Sequence, residues 1–231
     1  MTNFTNNPLS FVSGCILDQD QILVTAQIDE LVEAGETDSF VLKWKRSDCK
    51  WREVCDLEWS ATCLCSGQTD QIFSTGPLGR VVIHDGNGSR EEDIDNSSQG
   101  TSLHGDIRDL QLIGEHLYTT GMGRQVYRRE GDDNWVRRDI GVLQTPSTTE
   151  VTGFNSIDGL NENDIYAVGF YGEIWREAGI YAQILLPSFA VAFIVSPLSV
   201  IMEIFEKQKS FYDSNLQNDV LPKIPSNRDV H

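Results

Sequence analysis

DIYAVGFYGEIWREAG, residues 164–179, holds two short apolar runs on either side of a glycine-rich turn. Gly169 and Gly172 bracket the aromatic pair Phe170 and Tyr171, and the second run, Glu-Ile-Trp-Arg, follows them. Glycine adopts the backbone conformations that tight turns require, and alternating apolar and polar residues on both sides are typical of paired strands. The stretch therefore predicts a β-hairpin with Phe170 and Tyr171 at its tip.

The same pattern recurs along the chain. Clear copies are QIFSTGPLGRVVIHDG, residues 71–86, and HLYTTGMGRQVYRREG, residues 116–131. With Ile72, Leu117 and Ile165 as anchors, the copies are 45 and 48 residues apart. In a weaker copy, QILVTAQ, Ile22 lies 50 residues before Ile72, and an acidic insertion precedes the return strand. The predicted turn glycines of the three clear copies are Gly76 and Gly79, Gly121 and Gly123, and Gly169 and Gly172.

Each hairpin is flanked by two further candidate strands. A short strand precedes it, as in DIRDLQLIG at residues 106–114, and a strand led by tryptophan follows, as in NWVRRDI at residues 134–140. Four antiparallel strands per unit, with a period of about 40–50 residues, are typical of a propeller blade. We predict an all-β fold: four-stranded antiparallel blades of a partial or truncated β-propeller, with a short C-terminal helix.

These repeats resemble those of β-propeller proteins, closest to the sialidase-like (BNR) and photosystem II assembly-factor-like groups, over residues 11 to about 186. The Trp-Asp dipeptide of WD40 blades is absent. The Asp box of sialidases is only echoed, in SDCKW at residues 47–51 and GDDNW at residues 131–135. No repeated acid with an arginine triad can be assigned. The resemblance therefore implies the fold and does not imply sialidase activity.

The order of these features predicts three regions. Residues 1–179 form about four blades, residues 180–212 a partial fifth blade that leads into an amphipathic or apolar segment, and residues 213–231 a disordered polar tail. Where a fifth glycine hairpin is expected, the chain reads EIFEKQKSFYDSNLQ, residues 203–217, which has a helical apolar spacing. Our hypothesis for this end is a truncated or frame-altered copy of a longer propeller.

The chain is strongly acidic, with a formal net charge of −17. Nucleic-acid phosphates and anionic lipid surfaces attract Lys and Arg, so this charge argues against both as partners. It favours a basic protein partner, while the simpler alternative is that the acids only solvate the surface. Acids concentrate between Asp85 and Asp109, where we expect a long exposed loop in place of the second blade's closing strand.

Residues 178–202 carry no charge and are numerous enough to cross a bilayer as a helix. Gly179, Pro187 and Pro197 interrupt them, and their first half matches a blade strand, so we favour buried strands over a membrane segment. The N-terminus lacks the positive region and apolar core of an export signal, and the five cysteines do not require disulfides. We therefore expect a cytoplasmic protein.

Metal and catalytic patterns are weak. Cysteines 49, 55, 63 and 65 lack a Cys-x-x-Cys spacing, and Cys63 and Cys65 share one side of a predicted strand, which indicates core positions rather than zinc ligands. DGNGSREEDIDN, from Asp85, begins like a calcium loop but lacks its glycine and its final glutamate. The histidines belong to no recognisable Ser, Cys or Asp constellation. We predict no metal, no cofactor and no catalytic residue.

Arginines cluster in the third unit among acidic residues, at positions 124, 128, 129, 137 and 138. We favour cross-strand ion pairs for this cluster, with a phosphate or carboxylate site as the alternative.

Two functions follow from this sequence. The first is a non-catalytic scaffold that binds a protein through exposed turn tips, at Leu78, Met122, Phe170 and Tyr171. These residues could instead pack against neighbouring blades. The alternative function is a carbohydrate-active propeller enzyme, a glycosidase or lyase with its site in the central channel, which would need acids or histidines from several blades to converge.

Overall fold

The computed structural model describes residues 8–35, 38–68, 70–144 and 151–177, together with the backbone of 181–183. These residues form four antiparallel sheets of four strands each, and each sheet takes its strands from consecutive parts of the chain. The fold is therefore all-β with four-stranded blades, as the sequence predicts.

Blades 1 and 2 cover the first half of the described chain. Blade 1 comprises β1 (Leu9–Ile16), β2 (Gln21–Ile28), β3 (Ser39–Lys45) and β4 (Lys50–Leu57). Blade 2 comprises β5 (Cys63–Ser66), β6 (Ile72–Thr75), β7 (Arg80–His84) and β8 (Ser89–Asp93). A short helix, α1 (Asp29–Glu33), joins β2 to β3, and α2 (Thr101–His104) lies between blades 2 and 3.

Blades 3 and 4 repeat the arrangement. Blade 3 comprises β9 (Ile107–Ile113), β10 (His116–Gly121), β11 (Val126–Gly131) and β12 (Asn134–Arg137). Blade 4 comprises β13 (Phe154–Asn161), β14 (Asp164–Gly169), β15 (Ile174–Glu177) and β16 (Tyr181–Gln183), with a 3-10 turn at Phe170–Gly172. The first strands of successive blades, β1, β5, β9 and β13, lie side by side.

The sequence anchors occupy equivalent positions. Ile22, Ile72, Leu117 and Ile165 all lie near the start of the second strand of their blades. Ile72 packs with Leu23 of blade 1, Leu117 with Phe73 of blade 2, and Ile165 with Tyr118 of blade 3. The core thus sits between blades, because each thin sheet buries both of its sides only by stacking on its neighbours.

Neighbouring residues of the second strands point to opposite sides of the sheet. Leu23, Phe73 and Tyr118 each follow an anchor residue and face the next blade, where all three are buried. This alternation is the strand period of two. Burial of one such large apolar side chain contributes about 1.5–3 kcal/mol to the free energy of folding.

The acidic segment of blade 2 corrects one prediction. Instead of an exposed loop, Ser89–Asp93 forms the closing strand β8, paired residue by residue with Arg80–His84. Glu92 is buried in this strand, where Arg129 and Trp135 of blade 3 donate hydrogen bonds to its carboxylate. A buried charge needs such partners, and these lie about forty residues further along the chain, beyond the reach of a local pattern.

The predicted boundary at residue 179 falls inside blade 4, since Tyr181–Gln183 pairs with Ile174–Glu177 as its outer strand. The rest of the predicted partial fifth blade, the C-terminal helix and the polar tail lie outside the described residues and stay predictions. In the described part of the chain, neither α-helix approaches the length and apolar character of a bilayer span. Most of the uncharged run at 178–202 lies outside that part.

Candidate protein-binding face

Two faces of the blade array can be distinguished by their turns. The hairpin face carries the turns between second and third strands and the links between blades. Its turns and links are joined by backbone hydrogen bonds: Ile107 N donates to Pro77 O at 2.6 Å, and Gly123 N donates to Thr152 O at 2.9 Å. The opposite face carries the remaining turns. Blade turns and inter-blade links thus share one face, as expected of up-and-down sheets.

The turn glycines have two separate structural roles. Gly79, Gly123 and Gly172 have φ of +89°, +65° and +76°, a conformation in which a side chain is strained. Gly121 instead lies so close to the next link that an added Cβ would sit 2.3 Å from the backbone oxygen of Asp106. Gly169 has the same close contact with Gly153 O. The hairpins of blades 3 and 4 therefore each need one glycine for the turn and another for close approach of backbone, whereas Gly76 of blade 2 lies against the side chain of Trp59.

The predicted tip residues divide into two pairs. Leu78 is 59% exposed and Tyr171 88% exposed, so both project from the hairpin face. Met122 and Phe170 are half-buried. Met122 pairs through its backbone with Gly153, and its side chain lies next to Gly105 in the link before blade 3. The structure thus brings Leu78 and Tyr171 to the surface and leaves Met122 and Phe170 partly packed against links.

Four more exposed apolar residues lie on this face, and sequence reasoning missed them. They occupy α1, α2 and the link after blade 3: Val32, Leu103, Ile140 and Val151. Val32 and Leu103 lie between predicted strands, whereas Ile140 ends the predicted strand at residues 134–140 and Val151 begins the next predicted strand. Large apolar side chains are usually buried, however, and the sequence does not show that these four are exposed.

The opposite face differs in composition. Its turns expose acidic and amide side chains, among them Asp18, Gln68, Asp85, Glu115 and Asp133. Among the described residues, the large apolar side chains exposed beside these turns are Ile16, Trp51 and Leu160. The hairpin face thus carries six large exposed apolar groups against three beside the opposite turns, and exposed apolar groups that share a face mark a candidate interaction site.

Ion pairs between blades hold the hairpin face in place. Arg124, in the turn of blade 3, donates two hydrogen bonds to one oxygen of Glu173 in blade 4, at 2.7 and 3.0 Å. The indole of Trp175 donates to the same oxygen and lies beneath the guanidinium. Arg138 donates to Glu177 of blade 4 at 2.7 Å. The Arg124–Glu173 pair lies directly beside the turn that presents Tyr171 and anchors it to blade 3.

The arginine cluster is therefore structural, and its predicted pairing needs a correction. Arg124, Arg129 and Arg138 pair across blades rather than across strands of one sheet. Burial would by itself raise the pKa of the Glu92 carboxyl, but its hydrogen bonds from Arg129 and Trp135 hold that pKa below its ordinary value. The arginines and acids of this cluster thus neutralise one another, which disfavours a free anion site.

The side chains that a catalytic or metal site would need are buried in the packing between blades. Cys63 and Cys65 are buried between blades 2 and 3, and burial raises the pKa of each thiol to about 12. Asp109, on inner strand β9, is also buried, and burial raises its pKa. Its carboxylate accepts hydrogen bonds from Ser156 Oγ at 2.7 Å and Ile157 N at 2.9 Å. Within the described residues, no three His, Cys, Asp or Glu side chains gather as metal ligands would.

A cleft of about 300 Å³ lies between blades 2 and 3 near the opposite face, lined by Gln68, Leu112, His116 and Glu130 among others. His116 Nδ1 lies 2.5 Å from an oxygen of Glu162 in blade 4, so this histidine is already paired. Glu130 is paired with Arg128. The cleft therefore offers few uncommitted polar groups.

Comparison with solved structures identifies the architecture. The chain superposes on the "Crystal structure of RRP9 WD40 repeats" with a TM-score of 0.52 and 13% identity, over 78% of this chain and 51% of the other. The "Structure of U3-55K" gives the same TM-score with 12% identity, over 78% and 52%. The chain has a β-propeller fold. The finer resemblance to sialidase-like repeats stays a prediction.

One curated relative is similar in sequence. The chain is 31% identical over 175 residues to "Immune protein Tsi7" of Pseudomonas aeruginosa, a match that covers 74% of this chain. The chain spans 57%, a little over half, of that relative's length. No family model matches the chain.

Proposed function

We propose that this propeller is a non-catalytic binding protein whose hairpin face docks on a protein partner. As a finer proposal, its similarity to a protein named "Immune protein" suggests an immunity role, in which the chain binds and blocks a toxic protein. The observation that supports binding is the gathering of six exposed apolar residues on one face. These are Val32, Leu78, Leu103, Ile140, Val151 and Tyr171.

This face has the composition of a recognition surface. Tyrosine is enriched at protein interfaces, and the centre of an interface is apolar and depleted of charged residues. Tyr171 adopts φ +60° at the hairpin tip, and the Arg124–Glu173 pair anchors the turn that carries it. A turn that is already anchored loses less conformational entropy on binding than a free one.

The expected partner is basic. The chain has a net charge of −17, and acids on the hairpin face lie beside the apolar residues, as Asp29, Glu30 and Glu33 lie beside Val32 in α1. Complementary charge accelerates association and selects among partners. A cationic protein surface with an apolar centre would fit this face.

The test compares the two faces. Leu78→Lys/Tyr171→Lys is the hairpin-face variant, and Leu160→Lys is the matched control on the opposite face. Each chain is immobilised and exposed to extract of the source cells, and retained proteins are identified. We expect a protein that wild type and the control retain and the hairpin-face variant loses. That protein should inhibit growth when expressed alone, and co-expression of this chain should restore growth.

Two results would contradict the proposal. A partner retained equally by the hairpin-face variant would place binding elsewhere. Release of reducing sugar from a glycan panel by purified chain would favour the carbohydrate-active alternative. A non-toxic partner lost by the hairpin-face variant would leave the binding face in place and remove the immunity role.

A further inference from the structure

The outer hairpin of blade 1 concentrates positive charge. This hairpin consists of β3, β4 and the turn between them. It contains every lysine of the described residues and two arginines besides: Lys43, Lys45, Lys50, Arg46 and Arg52. Five cations thus lie within residues 43–52 of a chain whose net charge is −17. Such a local reversal of charge favours an anionic neighbour.

Two pairs of like charges lie directly opposite each other in this hairpin. Lys43 pairs across the strands with Arg52, and Lys45 pairs with Lys50. Like charges in this position destabilise a sheet. The outer hairpins of blades 2, 3 and 4 contain no such pair in their described residues. Among the four blades, the repulsion therefore belongs to blade 1, and the blade fold does not require it.

The four opposed cations share one side of the sheet. Leu23 and Val41 pack against blade 2, and Leu23 lies directly opposite Lys43. Alternation along β3 then places Lys43 and Lys45 on the side that faces blade 2. Same-side neighbours are about 7 Å apart along a strand, and opposed residues are about 5 Å apart across the pair. The four cations therefore form a compact array at the outer rim of the blade.

Little in the described chain neutralises this array. Arg52 forms an ion pair with Asp48 at 2.8 Å, and the Arg52 side chain stays 66% exposed. Within the described residues, the three lysines of the hairpin form no ion pair. The arginines between blades differ, because Arg124, Arg129 and Arg138 each lie against a largely buried glutamate. The array therefore keeps its charge available to a further anion.

The outer edge of blade 1 is formed by β4. The strand order β1-β2-β3-β4 leaves β4 at one side of the sheet, and in the described part of the chain no strand pairs with that edge. An edge strand presents backbone N–H and C=O groups with which an extended segment can pair. Residues of that segment opposite Lys50 and Arg52 would be two positions apart and on the same side as the array. Acidic residues at alternate positions would thus meet the cations.

We propose that the outer edge of blade 1 binds an extended acidic segment of a protein, with Asp or Glu at alternate positions. Lysine on an edge strand opposes pairing with most other strands, because their approach leaves its charge without a partner. An acidic strand is the exception, since it converts the repulsion within the array into attraction. Nucleic acid is also anionic, but it has no backbone amides to pair with β4, and the net charge of −17 repels a long polyanion.

This surface is separate from the hairpin face. The turn of the blade 1 outer hairpin lies beside the turn between β1 and β2, where Arg46 N donates to Asp20 O at 2.8 Å and Ser47 N donates to a carboxylate oxygen of Asp20 at 2.8 Å. Both turns belong to the opposite face. The proposal therefore does not depend on the function of the hairpin face, and an acidic segment can bind whether or not a basic partner occupies that face.

The test measures binding of a fluorescent peptide, in which glutamate and valine alternate, to the full chain by fluorescence anisotropy at low salt. We expect the wild type to bind it. Lys50→Glu should weaken binding by about tenfold, because it sets a like charge against the peptide at the edge. Arg108→Glu is the matched control: Arg108 is an exposed cation on inner strand β9 and forms no ion pair in the described chain. It should change binding by less than about twofold.

Thermal melts at low salt show whether Lys50→Glu folds, and they test the repulsion itself. The substitution replaces a like-charged pair with an oppositely charged one, so the variant should melt above the wild type. The difference should shrink at high salt, which screens exposed charges. Weaker binding by a more stable variant is not a consequence of unfolding. If Lys50→Glu fails to fold, Arg52→Glu at the other edge position replaces it in both measurements.

Four results would overturn the proposal. The first is a wild type that does not bind the peptide, and the second is an equal loss in Arg108→Glu, which would show that only net charge acts. The third is equal binding of a peptide of the same composition whose glutamates are contiguous. The fourth is tighter binding of a single-stranded oligonucleotide, which would assign the array to nucleic acid. Leu78→Lys/Tyr171→Lys should bind the peptide as the wild type does, so failure of the hairpin-face function leaves this result unchanged.

Discussion

The hairpin face and the opposite face consist of the same kind of element, short turns between antiparallel strands, yet they differ in chemistry. The hairpin face exposes Leu78, Tyr171 and other apolar groups, and the opposite face exposes mainly acids and amides. Both faces also join blade 3 to blade 4 through a side-chain contact: the Arg124–Glu173 ion pair on the hairpin face and the His116–Glu162 hydrogen bond on the opposite face. The difference suggests that the fold itself does not require the exposed apolar groups, because the opposite turns form without them.

The largest expected effect comes from disrupting a close backbone contact on the hairpin face. Gly121→Ala would place a Cβ 2.3 Å from Asp106 O, and the backbone on both sides would have to move. We expect the free energy of unfolding to fall by roughly 3 kcal/mol in urea denaturation. The matched control is Gly88→Ala on the opposite face, which meets nothing within 4 Å and should change that energy by less than about 0.5 kcal/mol. Equal losses for both would contradict the close-approach argument.

A smaller loss is expected from the ion pair beneath Tyr171. Glu173→Gln removes the carboxylate charge that accepts hydrogen bonds from Arg124 and Trp175. The side chains of Arg124 and Glu173 are both largely buried. The free energy of unfolding should fall by about 2 kcal/mol. Asp48→Asn breaks the exposed Arg52–Asp48 pair on the opposite face and should cost less than about 0.5 kcal/mol. If the two variants unfold at the same denaturant concentration, the Arg124–Glu173 pair does not stabilise the hairpin face.

A third change sharpens the electrostatic contrast between the faces. Glu30→Lys/Glu33→Lys reverses two exposed charges beside Val32, and Asp85→Lys/Glu115→Lys reverses two on the opposite face. With a basic partner identified as above, the first variant should associate about tenfold more slowly at low salt, because local charge steers encounter. The second should differ from the wild type less than about twofold. Surface plasmon resonance measures both rates, and equal slowing would mean that only the net charge matters.

The smallest expected effect concerns acid stability on the opposite face. The hydrogen bond from His116 lowers the pKa of Glu162 from its ordinary 4.5. A carboxyl with a lowered folded pKa contributes stability above its unfolded pKa, and loses it as pH falls through the folded value. Glu162→Gln should therefore show a flatter decline of unfolding free energy below pH 4.5 than the wild type. Parallel declines in thermal melts between about pH 5 and pH 3 would show that this pair contributes nothing.

The local sequence predicted those parts of the fold that depend on neighbours within one hairpin. Ile72, Leu117 and Ile165 fall at equivalent places, the paired glycines lie in the turns, and Leu78 and Tyr171 are exposed tips. Strand β8 was not predicted, because its sequence, Ser-Arg-Glu-Glu-Asp, has no alternation of apolar and polar residues. The residues that stabilise its buried Glu92 lie in another blade. The exposure of Ile140 and Val151 was also not predictable from the sequence. The path of the link after blade 3 decides whether its apolar side chains cover the core or face solvent.

By itself, the sequence determined the repeat, the strand number per blade and the turns, because alternation and glycine placement act within about twenty residues of chain. Tertiary structure decided which acids became buried partners, which arginines joined blades, and which apolar residues stayed exposed on one face. Those outcomes depend on contacts between blades some forty residues apart, as in Arg129–Glu92 and Arg124–Glu173. The energy of a buried charge is set by the partner that reaches it, and only the packing of blades brings that partner within hydrogen-bond distance.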